Sequence, residues 1–364
     1  MKVAFDHQIF SMQRYGGVSR YFFELLSRLP ANGVSVSVVA PLYINNYVTV
    51  DATRRSIRGK YVPYDFAGLP QLVGLADQIA APLAWLGSDA DIVHETYFSS
   101  KPVGRAKRRV VTVYDMIHEL FADEFPDAKL VTAAKRAAVD RADHVICISE
   151  NTQRDLVRLF GIDPARTSAV HLGYSLAAAP DDASATDGEH KSSLLYVGGR
   201  GRCKNFRTLL QAYASSPTLR ECELIAFGGG PFLPQEQEEI HRLGVDDRVR
   251  FESGSDQALA ARYRSAAAFV YPSLYEGFGL PPLEAMSHGC PVVCSNAGPI
   301  PEVVGDAGMY FDPTDVEDLR TALERVVTTV ELRANLRERG FQRIALFSWD
   351  KCATETAKIY RGLV

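Results

Sequence analysis

Two doubly wound α/β domains, each a parallel sheet covered by helices, are predicted by three observations. Short runs rich in Val, Ile and aromatic residues alternate with helical patterns through most of the chain. The scheme occurs twice, once on either side of a small, polar stretch. A length of 364 residues corresponds to about two domains at ~150 residues each. Strand, helix and strand in succession require a parallel sheet with helices on both faces.

In the first half, Val34 to Val39, Asp91 to His94, Arg109 to Tyr114 and His144 to Ser149 read as buried parallel strands. Helices are expected over Ser19 to Leu29 and Asn151 to Leu159. The second half repeats the pattern with Leu194 to Val197, Glu223 to Phe227, Arg248 to Phe251, Ala268 to Tyr271 and Pro291 to Cys294. Between them, 177–192 is small, polar and without periodicity, which predicts a linker or an exposed loop. The weakly polar stretch 66–87 carries Asp77 as its only charge and is interrupted by Gly68, Pro70, Gly74 and Pro82. It is a poor spanning helix. It reads as a half-buried helix or, more sharply, as an interfacial segment or a wall for a lipid-linked substrate.

The composition is that of a soluble globular protein, with 46% hydrophobic and 23% charged residues, which excludes disorder and coiled coil. A net charge of −4 argues against a general nucleic-acid binder. The six cysteines are scattered without a C-x-x-C pair, and no signal core follows Met1. A reduced, cytoplasmic setting is the simplest expectation.

Chemistry belongs on the loops that leave strands, because open parallel sheets bind ligands beyond their carboxyl ends. After the strand ending at Tyr271, a glycine loop leads to a helix in which Pro281 and Pro282 suit the first turn and Gly289 the stop. This puts Glu276 in the loop and Glu284 in the first helical turn. The backbone N–H groups of Gly277, Phe278, Gly279 and Leu280 form an anion nest. A carboxylate beside phosphate is useful only if it holds hydroxyls, so the ligand should carry both phosphate and polyol: a nucleotide sugar. The plain alternatives are dipole compensation for Glu284 and a solvated loop charge for Glu276.

Gly198-Gly199-Arg200-Gly201-Arg202-Cys203-Lys204-Asn205 is a glycine turn with three cations opening a helix, suited to a diphosphate. The alternative is a solvated charge run, disfavoured because cations oppose the dipole of a helix start. Gly16 and Gly17, expected between a strand and a helix, permit close backbone approach to a ligand, or form only a tight turn. Asp115 and His118 leave another strand end, where an acid and a histidine suit catalysis, although an isolated histidine is more often structural. Asp89-Ala90-Asp91 precedes a strand and reads as a loop, not a metal site. Gly228-Gly229-Gly230 lacks the spacing of a dinucleotide fingerprint.

Glu276-x7-Glu284 within Pro272-Ser-Leu-Tyr-Glu-Gly-Phe-Gly-Leu-Pro-Pro-Leu-Glu-Ala-Met286 resembles the signature of retaining glycosyltransferase family 4. The likeness continues through Ser295-Asn296, 300–308, Phe311-Asp312-Pro313 and Phe347-Ser348-Trp349. It implies a GT-B fold, two Rossmann-like domains facing a central cleft. The acceptor-side domain would be 1–176, the linker 177–192, the donor domain 193–345, and 346–364 a final helix crossing back. The resemblance implies that Glu276 contacts the transferred sugar, that Glu284 holds ribose hydroxyls, and that the backbone of 277–280 lies against sugar and diphosphate. It gives the diphosphate to Arg200 and Lys204, with Arg202 as the alternative arginine, and carries over Gly16 and Gly17 as a loop closing on the donor. Many members have a His-Asp pair where this chain has Tyr114-Asp115, with His118 arriving later.

The implied reaction moves a sugar from a GDP- or UDP-linked donor to a hydroxyl with retained configuration, with no resident cofactor and no metal. The general likeness is to bacterial surface-polysaccharide transferases, so the expected partners are a nucleotide sugar and a glycan or lipid-linked acceptor. Peripheral contact with the inner face of the cytoplasmic membrane is part of that expectation, and nucleic acid is not. The basic run Lys101, Arg105, Lys107, Arg108 and Arg109 either meets anionic lipid or is a solvated approach to a strand. The rivals are a nucleotide-sugar epimerase of related architecture, which would turn over donor without acceptor, and a non-catalytic nucleotide-sugar-binding protein.

Overall fold

The computed structural model describes residues 1–49, 56–174 and 193–364. The stretch 177–192, expected to be a linker, lies outside the described residues. The chain forms two compact units, Met1–Gly173 with Ser348–Val364, and Tyr174–Phe347.

The first unit holds a seven-stranded sheet in the order β3 (Ile57–Tyr61), β2 (Ser35–Tyr43), β1 (Lys2–Phe5), β4 (Ile92–Glu95), β5 (Arg108–Val113), β6 (His144–Cys147) and β7 (Thr167–Ala169). Every pairing is parallel. The central strands are the near-continuous Val/Ile runs that burial on both faces demands. Strands β3 and β7 escape a hydrophobicity reading for opposite reasons: β3 is Ile-Arg-Gly-Lys-Tyr with three exposed residues, and β7 has only three residues. Gly59 in β3 is obligatory, since a Cβ there would lie 1.6 Å from the Ala40 carbonyl oxygen, next to the register shift between Val39 and Leu42.

The second unit holds six parallel strands in the order β10 (Val249–Glu252), β9 (Glu223–Phe227), β8 (Ser193–Val197), β11 (Ala268–Tyr271), β12 (Val292–Ser295) and β13 (Gly308–Phe311). Both sheets therefore run outward in chain order, jump back to the middle and run outward the other way. The reversal falls between β1 and β4 in one unit and between β8 and β11 in the other. Connections on either side of such a point leave in opposite directions and open a crevice at the carboxyl ends.

The final helix, Trp349–Leu363, belongs to the first unit and buries Cys352, Ala353, Thr356, Ala357 and Tyr360. The Tyr360 hydroxyl meets Nδ1 of the buried His94 on β4 at 2.5 Å, and Thr112 meets its Nε2 at 2.8 Å. Gly173 lies so close to this helix that a Cβ would be 2.2 Å from the Trp349 nitrogen.

Within 66–87, Leu69–Ala84 is a helix, half-buried as one of the two readings held. It buries Leu69, Val73, Asp77 and Ala81, and Trp85 follows into the same core. Asp77 fastens the helix by accepting from Ser11 Oγ and, at 2.8 Å, from the Leu42 N–H. No described helix is long and apolar enough to cross a membrane. The six cysteines are free and buried, and burial pushes the Cys147, Cys294 and Cys352 thiols well up. They are inert packing residues.

Asp89 and Asp91 lie at the amino end of the sheet as loop acids. Asp89 pairs with Lys2 Nζ, and Asp91 accepts from the Lys2 N–H at 2.9 Å and from Lys107 Nζ at 3.0 Å. The basic run is largely spoken for as well. Arg108 binds Asp143 and the Leu363 carbonyl, while Arg109 binds Glu95 and the carbonyls of Val103 and Gly104.

Candidate active site

In the second unit, the loop leaving β8 and the loop leaving β11 flank the switch point, and they are stitched together by backbone-directed bonds. The Leu274 N–H donates to the Cys203 carbonyl at 2.8 Å. Asn205 Nδ2 donates to the carbonyls of Pro272 (3.0 Å) and Pro313 (2.8 Å). Ser295 Oγ at the end of β12 donates to the Ser273 carbonyl at 2.6 Å. Asn205 adopts φ +58°, the one positive-φ residue other than glycine among the described residues. Asparagine tolerates that conformation better than most side chains, and here it makes the turn from the Arg202–Lys204 3-10 segment into the helix Phe206–Ser215.

This stitching presents Lys204 to Glu276. Lys204 Nζ lies 2.7 Å from each carboxylate oxygen of Glu276, and Ser273 Oγ donates to Oε1 at 2.7 Å. Tyr271 also hydrogen-bonds Glu276; burial, then the neighbouring carboxylate, holds its hydroxyl well above the usual phenol range. Glu276 is 9% exposed, a burial at which a carboxylate needs a partner. The Lys204 side chain remains 33% exposed, so the cation reaches solvent while its partner does not.

The helix after the glycine loop is Leu280–Ser287. Its N-cap, Gly279, has φ +115°, a conformation reserved for glycine. Because the helix begins at Leu280, Pro281 and Pro282 are its second and third residues and Glu284 its fifth, with no acid in the first turn. That corrects the expected first-turn position. Glu284 is half-buried, close enough to Tyr263 to add to the upward push that burial gives its hydroxyl. Gly277 is half-buried and Phe278 is buried against Phe347.

Arg200 departs from the expectation that it joins Lys204. Its side chain is 3% exposed and turned to the far side of its own loop. Nε donates to Glu236 Oε1 at 2.9 Å, and the terminal nitrogens donate to Glu236 Oε2 and to the carbonyls of Gly228, Gly230 and Pro231. Its guanidinium carbon stands 4.9 Å from the Phe232 ring centroid. A guanidinium with Nε, one Nη1 and both Nη2 hydrogens committed to Glu236 and fixed carbonyls has little left to offer a ligand. Arg200 instead shapes the Gly228–Gly230 loop after β9, whose three glycines all have positive φ. Arg202, two residues on, is exposed.

The first-unit candidates are built otherwise. Asp115 Oδ1 accepts from the Ile117 N–H at 3.0 Å and so starts the short helix Ile117–Leu120. His118 is half-buried with its ring 4.7 Å from that of Phe125. Among the described residues no hydrogen bond joins Asp115 to His118. Gly16 and Gly17 do not follow a strand directly, because the helix Gln8–Met12 intervenes. The Gly16 carbonyl accepts from the Arg20 N–H at 2.9 Å and from Ser19 Oγ at 3.1 Å, opening the helix Gly17–Arg28. Gly17 faces open space.

Sequence reasoning did not single out Asn205, Ser273, Ser295 or Glu236. The first three stood inside quoted motifs, where their types were signal enough; Glu236 had no local signal. No three His, Cys, Asp or Glu side chains cluster as metal ligands among the described residues.

The chain holds two Rossmann-like parallel sheets, the GT-B architecture, with opposed charges at the switch point of one. Residues 15–178 match Glycosyltransferase Family 4 and residues 181–343 match Glycosyl transferases group 1. The chain is 33% identical over 272 residues to O-antigen chain mannosyltransferase B of Escherichia coli, an overlap of 71% of either protein. Among solved structures, sucrose-phosphate synthase from Thermosynechococcus elongatus superposes with a TM-score of 0.77 at 22% identity, over 100% of this chain and 98% of that one. Anabaena Alr3699/HepE, in complex with UDP and glucose, gives 0.71 at 20% identity over 100% of both chains. The chain belongs to glycosyltransferase family 4.

Proposed function

We propose that the chain transfers a sugar, with retained anomeric configuration and without a metal ion, from a nucleoside-diphosphate donor to a saccharide hydroxyl. The observation that carries this is the Lys204–Glu276 pair, a reachable cation and a sheltered carboxylate 2.7 Å apart at the switch point of the second unit. A donor brings an anionic diphosphate joined to a polyhydroxyl ring, and these two groups match that ligand part for part. Lys204, on a flexible four-carbon stem, swings to the diphosphate, assisted by backbone N–H groups of 277–280 and by Arg202. Glu276, still held by Ser273, then accepts hydroxyls of the sugar, and Glu284 takes those of the ribose.

In the reaction, the bond between the anomeric carbon and the phosphate oxygen breaks while the acceptor oxygen bonds the same face of that carbon. The acceptor proton passes to the departing phosphate. Lys204 stabilises the charge that develops there, and Glu276 the positive charge on the sugar.

The Escherichia coli relative is an O-antigen chain mannosyltransferase, which makes a mannosyl donor the first to try and a UDP-linked sugar the second. The O-antigen chain in that relative's name makes a glycan the acceptor to try; a lipid carrier for it and peripheral work at the cytoplasmic face of the membrane complete the proposal. The test is a panel of GDP- and UDP-sugars scored for thermal stabilisation and transfer, with and without chelator, and NMR of the product's anomeric centre. Retained configuration insensitive to chelator is expected. An inverted product contradicts the stereochemistry, and binding lost in chelator contradicts metal independence.

A further inference from the structure

The turn that carries Asp115 and His118 is held by a residue that no motif marks. Lys135 lies on the helix Ala128–Arg141 and is 1% exposed, the one buried lysine among the described residues. Its Nζ donates to the Asp115 carbonyl at 3.0 Å and to Glu119 Oε2 at 2.7 Å. It also stands 5.4 Å from the centroid of the Phe98 ring, a favourable place for a cation. Lys135 therefore grips the loop leaving β5 at two points and rests on the loop leaving β4.

Stability does not account for this arrangement. Taking an ammonium and a carboxylate out of water costs about as much as their attraction returns, so apolar residues of the same size serve a core equally well. The pair is also incomplete, because Glu119 Oε1 is buried without a partner on a side chain 6% exposed. What the pair supplies is geometry. Ile117–Leu120 is a single helical turn of four residues, and one turn orders more backbone than its own hydrogen bond can hold. Asp115 Oδ1 bonds the first N–H of that turn. Lys135 then fixes the carbonyl ahead of it and the side chain of its third residue. His118 falls between the two fixed points, its ring against Phe125. Among the described residues nothing hydrogen-bonds that ring, which leaves its nitrogens for a ligand hydroxyl.

We propose that Lys135 is a positioning residue for glycosyl transfer: it preforms the turn 115–120 at the carboxyl end of β5 and thereby sets where the His118 imidazole meets substrate. The assignment rests on the glycosyl-transfer reading above. Glu119 is the anchor that Lys135 uses, and His118 the group through which it acts.

The experiment separates position from stability with Lys135→Met and the double variant Lys135→Met/Glu119→Leu. The single variant strands a buried carboxylate and should lower the urea midpoint; the double variant removes the stranded charge and should recover it. The kcat of the double variant should nevertheless stay about 10–100-fold below wild type, with KM for the donor within about twofold. His118→Ala should cost the wild type a similar factor and the double variant less than about threefold more, since residues acting as one unit are not additive. The imidazole NMR signal of His118, assigned by its absence in His118→Ala, should shift in the double variant. Recovery of kcat together with stability overturns the proposal, as does a double variant that stays as unstable as Lys135→Met. Equal losses from His118→Ala in both backgrounds overturn the route through His118. A wild type that binds donor and transfers to no acceptor counts against the glycosyl-transfer reading; the imidazole signal then decides, and an unshifted one overturns the role of Lys135.

Discussion

The two units of this chain repeat one topology, yet they use charge at their switch points in opposite ways. In the first, Asp6 accepts the Gln8 N–H at 3.0 Å and binds Thr96, which ties the loop after β1 to the loop after β4. Burial raises its pKa. Glu95 is likewise clasped between Arg109 and Arg141. In the second unit, neutral groups do that tying, Asn205 and Ser295 reaching backbone carbonyls. The charges there, Lys204 and Glu276, are left to face each other. Where acids serve as structural fasteners, none is left for a ligand; where amides and hydroxyls fasten, the acid and the cation remain for one.

The largest effect should come from Lys204. Lys204→Met removes the cation for the leaving group and leaves Glu276 without its ionic partner, so kcat/KM for donor should fall by about 10²–10³-fold. Steady-state kinetics with saturating acceptor checks this, and a loss under tenfold would place the leaving-group charge elsewhere.

Arg200 and Arg202 sharpen the contrast within one loop. Arg200→Ala leaves Glu236 and three carbonyls without their donor, so it should cost about 2–4 kcal/mol of stability in urea unfolding. Arg202→Ala should shift the unfolding midpoint less than Arg200→Ala does and weaken donor binding about tenfold. The reverse assignment of effects would restore Arg200 to the diphosphate.

A pH profile probes the first unit. Burial pushes the His94 pKa down to about 3, whereas the unfolded chain takes up that proton near ~6.5. Between those values the unfolded state binds more protons, so stability falls as pH drops, on the order of 1 kcal/mol per pH unit. His94→Gln should start less stable at neutral pH, having lost its fit to Tyr360 and Thr112, and then decline less steeply in acid. Parallel declines in the two proteins would show that His94 is not what titrates. The smallest effect belongs to Glu284→Gln, about 1 kcal/mol in donor affinity by calorimetry, with kcat little changed.

Much of this was legible in the chain. Glu223–Phe227 and Ala268–Tyr271 lie where apolar runs put them, because a strand buried on both faces leaves no room for polar residues. Edge strands β3 and β13 lacked that signature, being exposed or half-buried. Glu276 stood out through the glycines beside it. For Arg200, spacing places a cation in a loop without saying which way it turns, and its direction in the structure is decided by Glu236, 36 positions away.

Glu276→Gln tests the central claim most directly, since it keeps the shape and removes the charge that would steady the sugar in the transition state. Its kcat should fall by about 10²–10³-fold while the dissociation constant for the donor, measured by calorimetry, stays within about threefold. Equal losses in turnover and affinity, or full turnover, would show that this carboxylate does not act on the reacting sugar.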